Sequence, residues 1–304
     1  MTLSRSSVLE AVRPCLAELE IARRLRTHRG KDRLLARFIE EFNAKDAVAT
    51  FRAHKTSDTL YILGSGPSIN DITPAQWDHV GHHDSFGFNN WPVHSFVPSF
   101  YMTEVNSTET LNPAMLRMFE DRATDYANVP VLIKEPYRYY KFVGVALPLD
   151  QLPATMRRNY VTGPQFIPPA MTRATLAAQL RAWKRMTRWF PALSHHLITF
   201  RASVFLAMHM GFLGGWQRIV LAGIDMRSPK YFWEEQGGYT DYGLPSNDAV
   251  SSVHRTEEAS LGLPISQAIE IFDHVLLQPA GIRLEVSSSY SLLSDFLPVH
   301  AFET

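Results

Sequence analysis

Cysteine is nearly absent: Cys15 is the only one in 304 residues. A single thiol closes no internal disulfide and offers no thiolate set for zinc, which fits a reducing, cytoplasmic setting. Charge of one sign is also lacking. Thirty Lys and Arg residues balance thirty Asp and Glu, so the net charge is zero and the broad basic field that holds nucleic acid is excluded. No apolar run approaches the ~18 residues that cross a bilayer. Residues 1–16 carry early charges and no long apolar stretch, so no secretory signal is expected there. The twelve histidines are scattered. Neither His82-His83 nor His195-His196 has the i, i+4 spacing that puts two ligands on one helix face, and no metal site is expected.

The composition that remains is that of a folded protein, 45% hydrophobic and 20% charged. The length suits one α/β domain with an extension. Residues 1–56 read as a helical extension. Ser7 caps a first segment, Pro14 breaks it, and Leu16, Leu19, Ile21, Leu25, Leu34, Leu35, Phe38 and Phe42 recur at helical intervals. The basic stretch 23–37 has two readings. One is a peripheral contact with an anionic membrane face, the inner one for a cytoplasmic protein. The other, favoured because Gly30 interrupts the pattern, is the solvated face of a helical hairpin.

From residue 57 the period changes. Short apolar strands are expected at 59–63, 85–89, 99–102, 129–133, 218–222 and 283–286, and helices at 172–190, 203–214 and 265–277. Strands alternating with helices predict an α/β fold with a mainly parallel, helix-flanked sheet over 57–304. Residues 134–190 form an insert, and the proline- and aromatic-rich part to 170 predicts an irregular small lid rather than sheet.

Four constellations could carry chemistry. Gly64-Ser65-Gly66-Pro67-Ser68 follows a strand and opens a helix-compatible segment. Its glycines allow close backbone approach, and Pro67 suits a helix start, where free N–H groups attract phosphate. A plain β–α turn would look the same, and the lysine of a P-loop is missing. Asn89 and Asn90 end the next strand, where ligands of open α/β sheets bind; turn chemistry is the competing reading. Gly223-Ile224-Asp225 ends a later strand, and Asp225 either binds a ribose or caps a turn. The aromatic, charged segment after it reads as an active-site cover or as an anchored surface loop. His254 lies in a loop before a helix, as a general base would, or as an incidental histidine.

The order of these pieces, with Arg201-Ala202-Ser203 before the late strand and Ser289-Tyr290-Ser291-Leu292-Leu293 near the end, resembles the bacterial sialyltransferases of glycosyltransferase family 42. The resemblance covers roughly residues 59–103 and 197–296. It implies a Rossmann-like fold and metal-independent, inverting transfer of sialic acid or a related acidic sugar from a CMP-sugar to a glycan acceptor. The CMP-sugar would be a co-substrate, with no cofactor and no metal. Carried over by position, Gly64, Ser65, Gly66, Pro67, Ser68, Asn89, Asn90, Thr103, Ser203, Gly223 and Asp225 would hold the nucleotide sugar. His254 would be the base, and Arg227 and Tyr231 would steady the leaving phosphate. Three positions depart from the family pattern. Ser65 stands in place of an Asn, Met102 takes the place of another Asn with Thr103 or Asn106 as substitutes, and Arg227 fills a tyrosine slot. Two other readings share the glycine loop. One is a pterin diphosphokinase-like enzyme using ATP and Mg²⁺ with Asp71, Asp225 and Asp241. The other is a noncatalytic nucleotide-sugar or glycan binder. Assembly into a homo-oligomer is left open.

Overall fold

The computed structural model describes residues 16–25, 29–105, 108–109, 111–235, 238–244 and 254–302. The Ser7 cap, Pro14, Cys15, Asn106, and Arg26 and His28 of the basic stretch lie outside them.

Two helices, α1 (residues 16–25) and α2 (Arg29–Phe42), precede the two-residue strand β1 (Lys45–Asp46) and α3 (Ala47–His54). Then come β2 (Thr59–Leu63), α4 (Pro74–Gly81), β3 (Asp84–Phe88), β4 (Phe100–Glu104), α5 (Asn112–Asp121) and β5 (Val131–Lys134). The middle of the chain adds α6 (Tyr137–Lys141), α7 (Ala154–Arg157), β6 (Tyr160–Thr162), β7 (Gln165–Phe166), α8 (Arg173–Trp189) and β8 (Leu197–Ile198). The last third supplies α9 (Ser203–Gly214), β9 (Arg218–Ala222), α10 (Phe232–Glu235), α11 (Ile265–Phe272) and β10 (Arg283–Val286).

Eight strands form one sheet in the order β1-β6-β5-β4-β3-β2-β9-β10, each pair parallel. Parallel strands need crossovers that cover both faces, so they are buried on both sides. β2 shows this directly. All five of its residues are buried; Leu60 and Ile62 enter one core, Tyr61 and Leu63 the other. The first core is completed by α3, α8, α9 and α11, the second by α5 and Phe38 of α2. This is the expected α/β, Rossmann-like arrangement of a parallel sheet flanked by helices.

Cap chemistry sets several helix starts. Thr73 and Gln76 make a reciprocal capping box on α4, with Pro74 in the first turn, and Thr172 and Thr175 do the same for α8. α9 is buried almost all round and packs between β2 and α3. Its end is fixed by Gly215 at φ +79°, a left-handed stop that glycine adopts without strain.

Two expectations change. Residues 134–170 are not all irregular, because β6 sits in the main sheet between β5 and β1. Three residues are too few to display a period among flanking prolines; the neighbouring strands make Tyr160-Val161-Thr162 a strand. The helical extension likewise contributes β1 to the sheet edge and α3 to the core, where Phe51 stacks on Phe100 with ring centroids 4.3 Å apart.

Candidate functional site

From β2 the chain winds one way through β3, β4, β5 and β6, while β9 and β10 lie on the other side. The reversal between β2 and β9 is a topological switch point, and the crevice beyond the C-terminal strand ends there is where open α/β sheets bind ligands. The loops after these two strands touch along their backbones. Gly64 N–H donates to Ala222 O and Gly66 N–H to Gly223 O, both at 2.7 Å. A Cβ on Gly64 would lie 2.2 Å from Ile224 Cδ1 and 2.5 Å from Gly223 O; one on Gly66 would lie 2.3 Å from Asp225 Oδ2. Gly223 has φ +65°. The glycines therefore serve the approach of one loop to another.

Asp225 completes this junction. It is 2% exposed, and its carboxylate accepts from Ser68 N–H at 2.9 Å and from Ser68 Oγ at 2.5 Å. Pro67 does open a helical segment, but that segment is a five-residue 3₁₀ turn, Pro67–Asp71, with one of its free N–H groups already held by Asp225. The expected phosphate-attracting helix start is thus occupied from within. Ser291 adds a third strap: its hydroxyl donates to Ile224 O at 2.6 Å, and Leu292 N–H donates to Asp225 O at 2.8 Å.

Above this junction opens a cleft of about 250 Å³. It gathers eight of the expected residues: Ser65, Gly66, Asn89, Ser203, Gly223, Asp225, Tyr231 and His254. Six others are not in its wall. Gly64, Pro67 and Ser68 are buried in the junction beneath it, and Thr103 is fully buried in β4. Asn90 precedes a short 3₁₀ turn, and Arg227 turns to the surface, where Nη2 pairs with Asp295 Oδ1 at 3.0 Å.

Four non-glycine residues with positive φ surround the cleft: Asn89 (56°), Glu135 (54°), Arg201 (54°) and Met226 (59°). Asn89, Arg201 and Met226 line it, and Glu135 follows the lining residue Lys134. Such backbone costs on the order of 1 kcal/mol or more per residue and concentrates where function over-determines geometry.

The residues that sequence reasoning missed are charged. Lys134, 6% exposed at the end of β5, donates to Glu104 Oε2 at 2.8 Å and to Ser203 Oγ at 3.4 Å. Arg138 reaches Glu104 from outside at 3.3 Å. Arg201 donates to Leu263 O at 2.6 Å, and Lys230 stands at the rim. Ser203 begins α9, a 12-residue helix whose N-cap, Ala202, makes no side-chain cap bond. Its first N–H groups and positive dipole end face the cleft. The available signal was position: Glu104 and Lys134 both end parallel strands, as ligand-binding residues of such sheets do.

His254 is half-buried, and burial pushes its pKa below the ordinary value of 6.5, so the ring is neutral at pH 7. Nδ1 lies 2.8 Å from Thr256 Oγ1 and accepts from Thr256 N–H at 3.3 Å, capping the short turn that follows. Tyr231 stacks on Trp233 with centroids 4.6 Å apart. Burial, with a smaller contribution from Glu234, raises its pKa, so the phenol keeps its proton. The cleft thus combines an anion-seeking floor, a neutral imidazole and a phenolic donor. Among the described residues, no group of three or more His, Cys, Asp or Glu side chains could hold a metal ion.

No protein-family model matches the chain, and no curated protein matches it in sequence. Among solved structures it is similar to the sialyltransferase CstII from Campylobacter jejuni in complex with cytidine-5'-monophosphate, at 14% identity and TM-score 0.40 over 80% of this chain and 85% of that one. A CST-II variant in complex with CMP gives 12% identity and TM-score 0.44, over 80% and 87% of the two chains. The monofunctional alpha-2,3-sialyltransferase Cst-I from Campylobacter jejuni gives 11% identity and TM-score 0.43 over 82% of each. No residue's role passes from them to this protein.

Proposed function

We propose that this protein is a glycosyltransferase that moves an acidic sugar from a CMP-activated donor to a hydroxyl group of a glycan acceptor. One observation carries the reading: the uncapped start of α9 at Ser203, the buried Lys134 ammonium and the neutral His254 ring share one cleft at the switch point. A nucleotide sugar with a phosphate and a carboxylate brings the charges that Lys134, Arg201 and the helix start can receive. The positive charge that steadies the leaving phosphate then comes from side chains and a helix dipole.

In this mechanism an acceptor hydroxyl oxygen forms a bond to the anomeric carbon from the face opposite the phosphate. The bond from that carbon to the phosphate oxygen breaks, and its electron pair leaves with CMP. The hydroxyl proton passes to Nε2 of His254. That role requires Nδ1 to carry the ring proton. In that tautomer Nδ1–H donates to the Thr256 hydroxyl at 2.8 Å, whose own proton goes to Met226 Sδ at 3.6 Å, and the longer 3.3 Å bond that Nδ1 accepts from Thr256 N–H is given up. Tyr231, kept protonated, donates to the departing phosphate.

A thermal-shift panel of CMP, CDP, UDP, GDP and ATP, each with EDTA or Mg²⁺, tests the reading. Stabilisation by CMP in EDTA is expected. Stabilisation by ATP with Mg²⁺ alone would point to a diphosphokinase-type enzyme instead. CMP binding with no turnover of any CMP-sugar would leave a noncatalytic binder.

A further inference from the structure

The net charge of the chain is zero, yet α8 carries Arg173, Arg181, Lys184, Arg185 and Arg188 and no acidic residue. Arg173 and Arg185 are neutralised by Glu270 at 2.7 Å and Glu18 at 2.9 Å. Arg181, Lys184 and Arg188 form no ion pair among the described residues, and their spacing of three and four places them on one helix face. At the C-terminal end of the helix two adjacent aromatics stand in water, Trp189 at 80% exposure and Phe190 at 59%. Large apolar side chains left this open mark an interaction surface.

We propose that this end of α8 docks the protein on an anionic lipid surface. Trp and Phe beside unpaired cations are the chemistry of an interfacial contact: rings enter the headgroup boundary while Arg and Lys meet lipid phosphates. The charge pattern disfavours a second copy of the chain as occupant, since two such faces would repel. The neighbouring α1, joined to α8 through Glu18 and Arg185, adds Leu19 at 65% exposure. The basic stretch 23–37 is less suited to the task. Arg23 and Arg24 pair with Glu20, and Arg37 pairs with Glu41. Among the described residues no helix is long and apolar enough to cross a membrane, so the contact is peripheral. It is independent of what the cleft binds.

The test is co-sedimentation of the full chain with vesicles of phosphatidylcholine alone or with about one-third phosphatidylglycerol. Two variants are compared, R181E/K184E/R188E and W189S/F190S, with folding checked by circular dichroism; the altered side chains are exposed except Lys184, which is half-buried. Binding to the anionic vesicles is expected, weakened by salt and about fivefold for each cation removed. The aromatic variant should bind weakly at any salt concentration. No binding of the wild type to anionic vesicles at low salt overturns the proposal, as does binding unchanged in both variants. A dimer that dissociates in W189S/F190S, or retention of a single-stranded RNA in place of vesicles, overturns it in favour of another partner.

Discussion

Asp225 holds Ser68 twice, taking its backbone N–H at 2.9 Å and its hydroxyl at 2.5 Å across the junction of β9 and β2. The pair is buried, so removing the carboxylate leaves two donors unsatisfied. Asp225→Ala is expected to cost roughly 2–4 kcal/mol, and Asp225→Asn less, because an amide oxygen still accepts one bond. Gly64→Ala belongs with them, since its Cβ would meet Gly223 O at 2.5 Å. Thermal and urea unfolding of the three variants checks the order.

Lys134 and Glu104 form a pair that the cleft needs for different reasons. Lys134→Met removes the cation expected to receive the ligand's anionic group, so CMP binding should weaken tenfold or more. It also strips Glu104 of its nearest partner, which lowers stability, while Arg138 softens the loss. Adding Glu104→Gln should restore the melting temperature and leave binding weak. Calorimetric titration with CMP and thermal melts of the two variants separate these effects.

The contrast between these two pairs shows what was legible in the sequence. β2, α9, β9 and β10 were readable to the residue: β2 and β9 are short apolar runs stopped by Gly64 and Gly223, α9 is a mainly apolar helix stopped by Gly214-Gly215, and β10 alternates Arg283 and Glu285 with the buried Leu284 and Val286. Gly64, Gly66 and Gly223 were also visible, but a glycine that admits a ligand and one that admits a second loop have the same local pattern. Lys134 and Glu104 were not visible. They are 30 residues apart, and only the adjacency of β4 and β5 makes them partners. The edge strand β1 was hidden for the same reason, since two residues carry no period and Val161 and Thr162 define their register.

Two buried histidines set the acid limit of the fold. His94 packs between Trp77 and Trp91, takes Phe96 N–H on Nδ1, and is pushed by burial to a pKa of about 4. His209, fully buried with Nδ1 accepting from Ile198 N–H, is pushed to about 3. The unfolded chain protonates both near pH 6.5. Below that pH it binds protons that the native state refuses, so stability falls as pH falls, and the loss from His94 is complete by about pH 4. A shift of that size corresponds to something on the order of 3 kcal/mol. Melting temperature should be flat above pH 7 and decline below pH 6. His94→Gln should flatten the decline.

His254 should act without supporting the fold. His254→Ala is expected to lower turnover by about 10²–10⁴ with little change in melting temperature. Because burial lowers its pKa, the basic form persists below the ordinary histidine range, and kcat/KM should stay level as pH falls through that range and drop only on its acid side. Thr256→Ala, which frees Nδ1 from its hydroxyl partner, should lower kcat more than it raises KM. Full activity in Thr256→Ala would remove the positioning role.

The most direct test is release of CMP from CMP-N-acetylneuraminic acid in EDTA, with and without a lactose-type acceptor. CMP release that is stimulated by the acceptor, yields a sialylated product, and collapses in His254→Ala and Lys134→Met is the predicted result. Absence of both transfer and donor hydrolysis by the folded, CMP-binding protein would contradict the account.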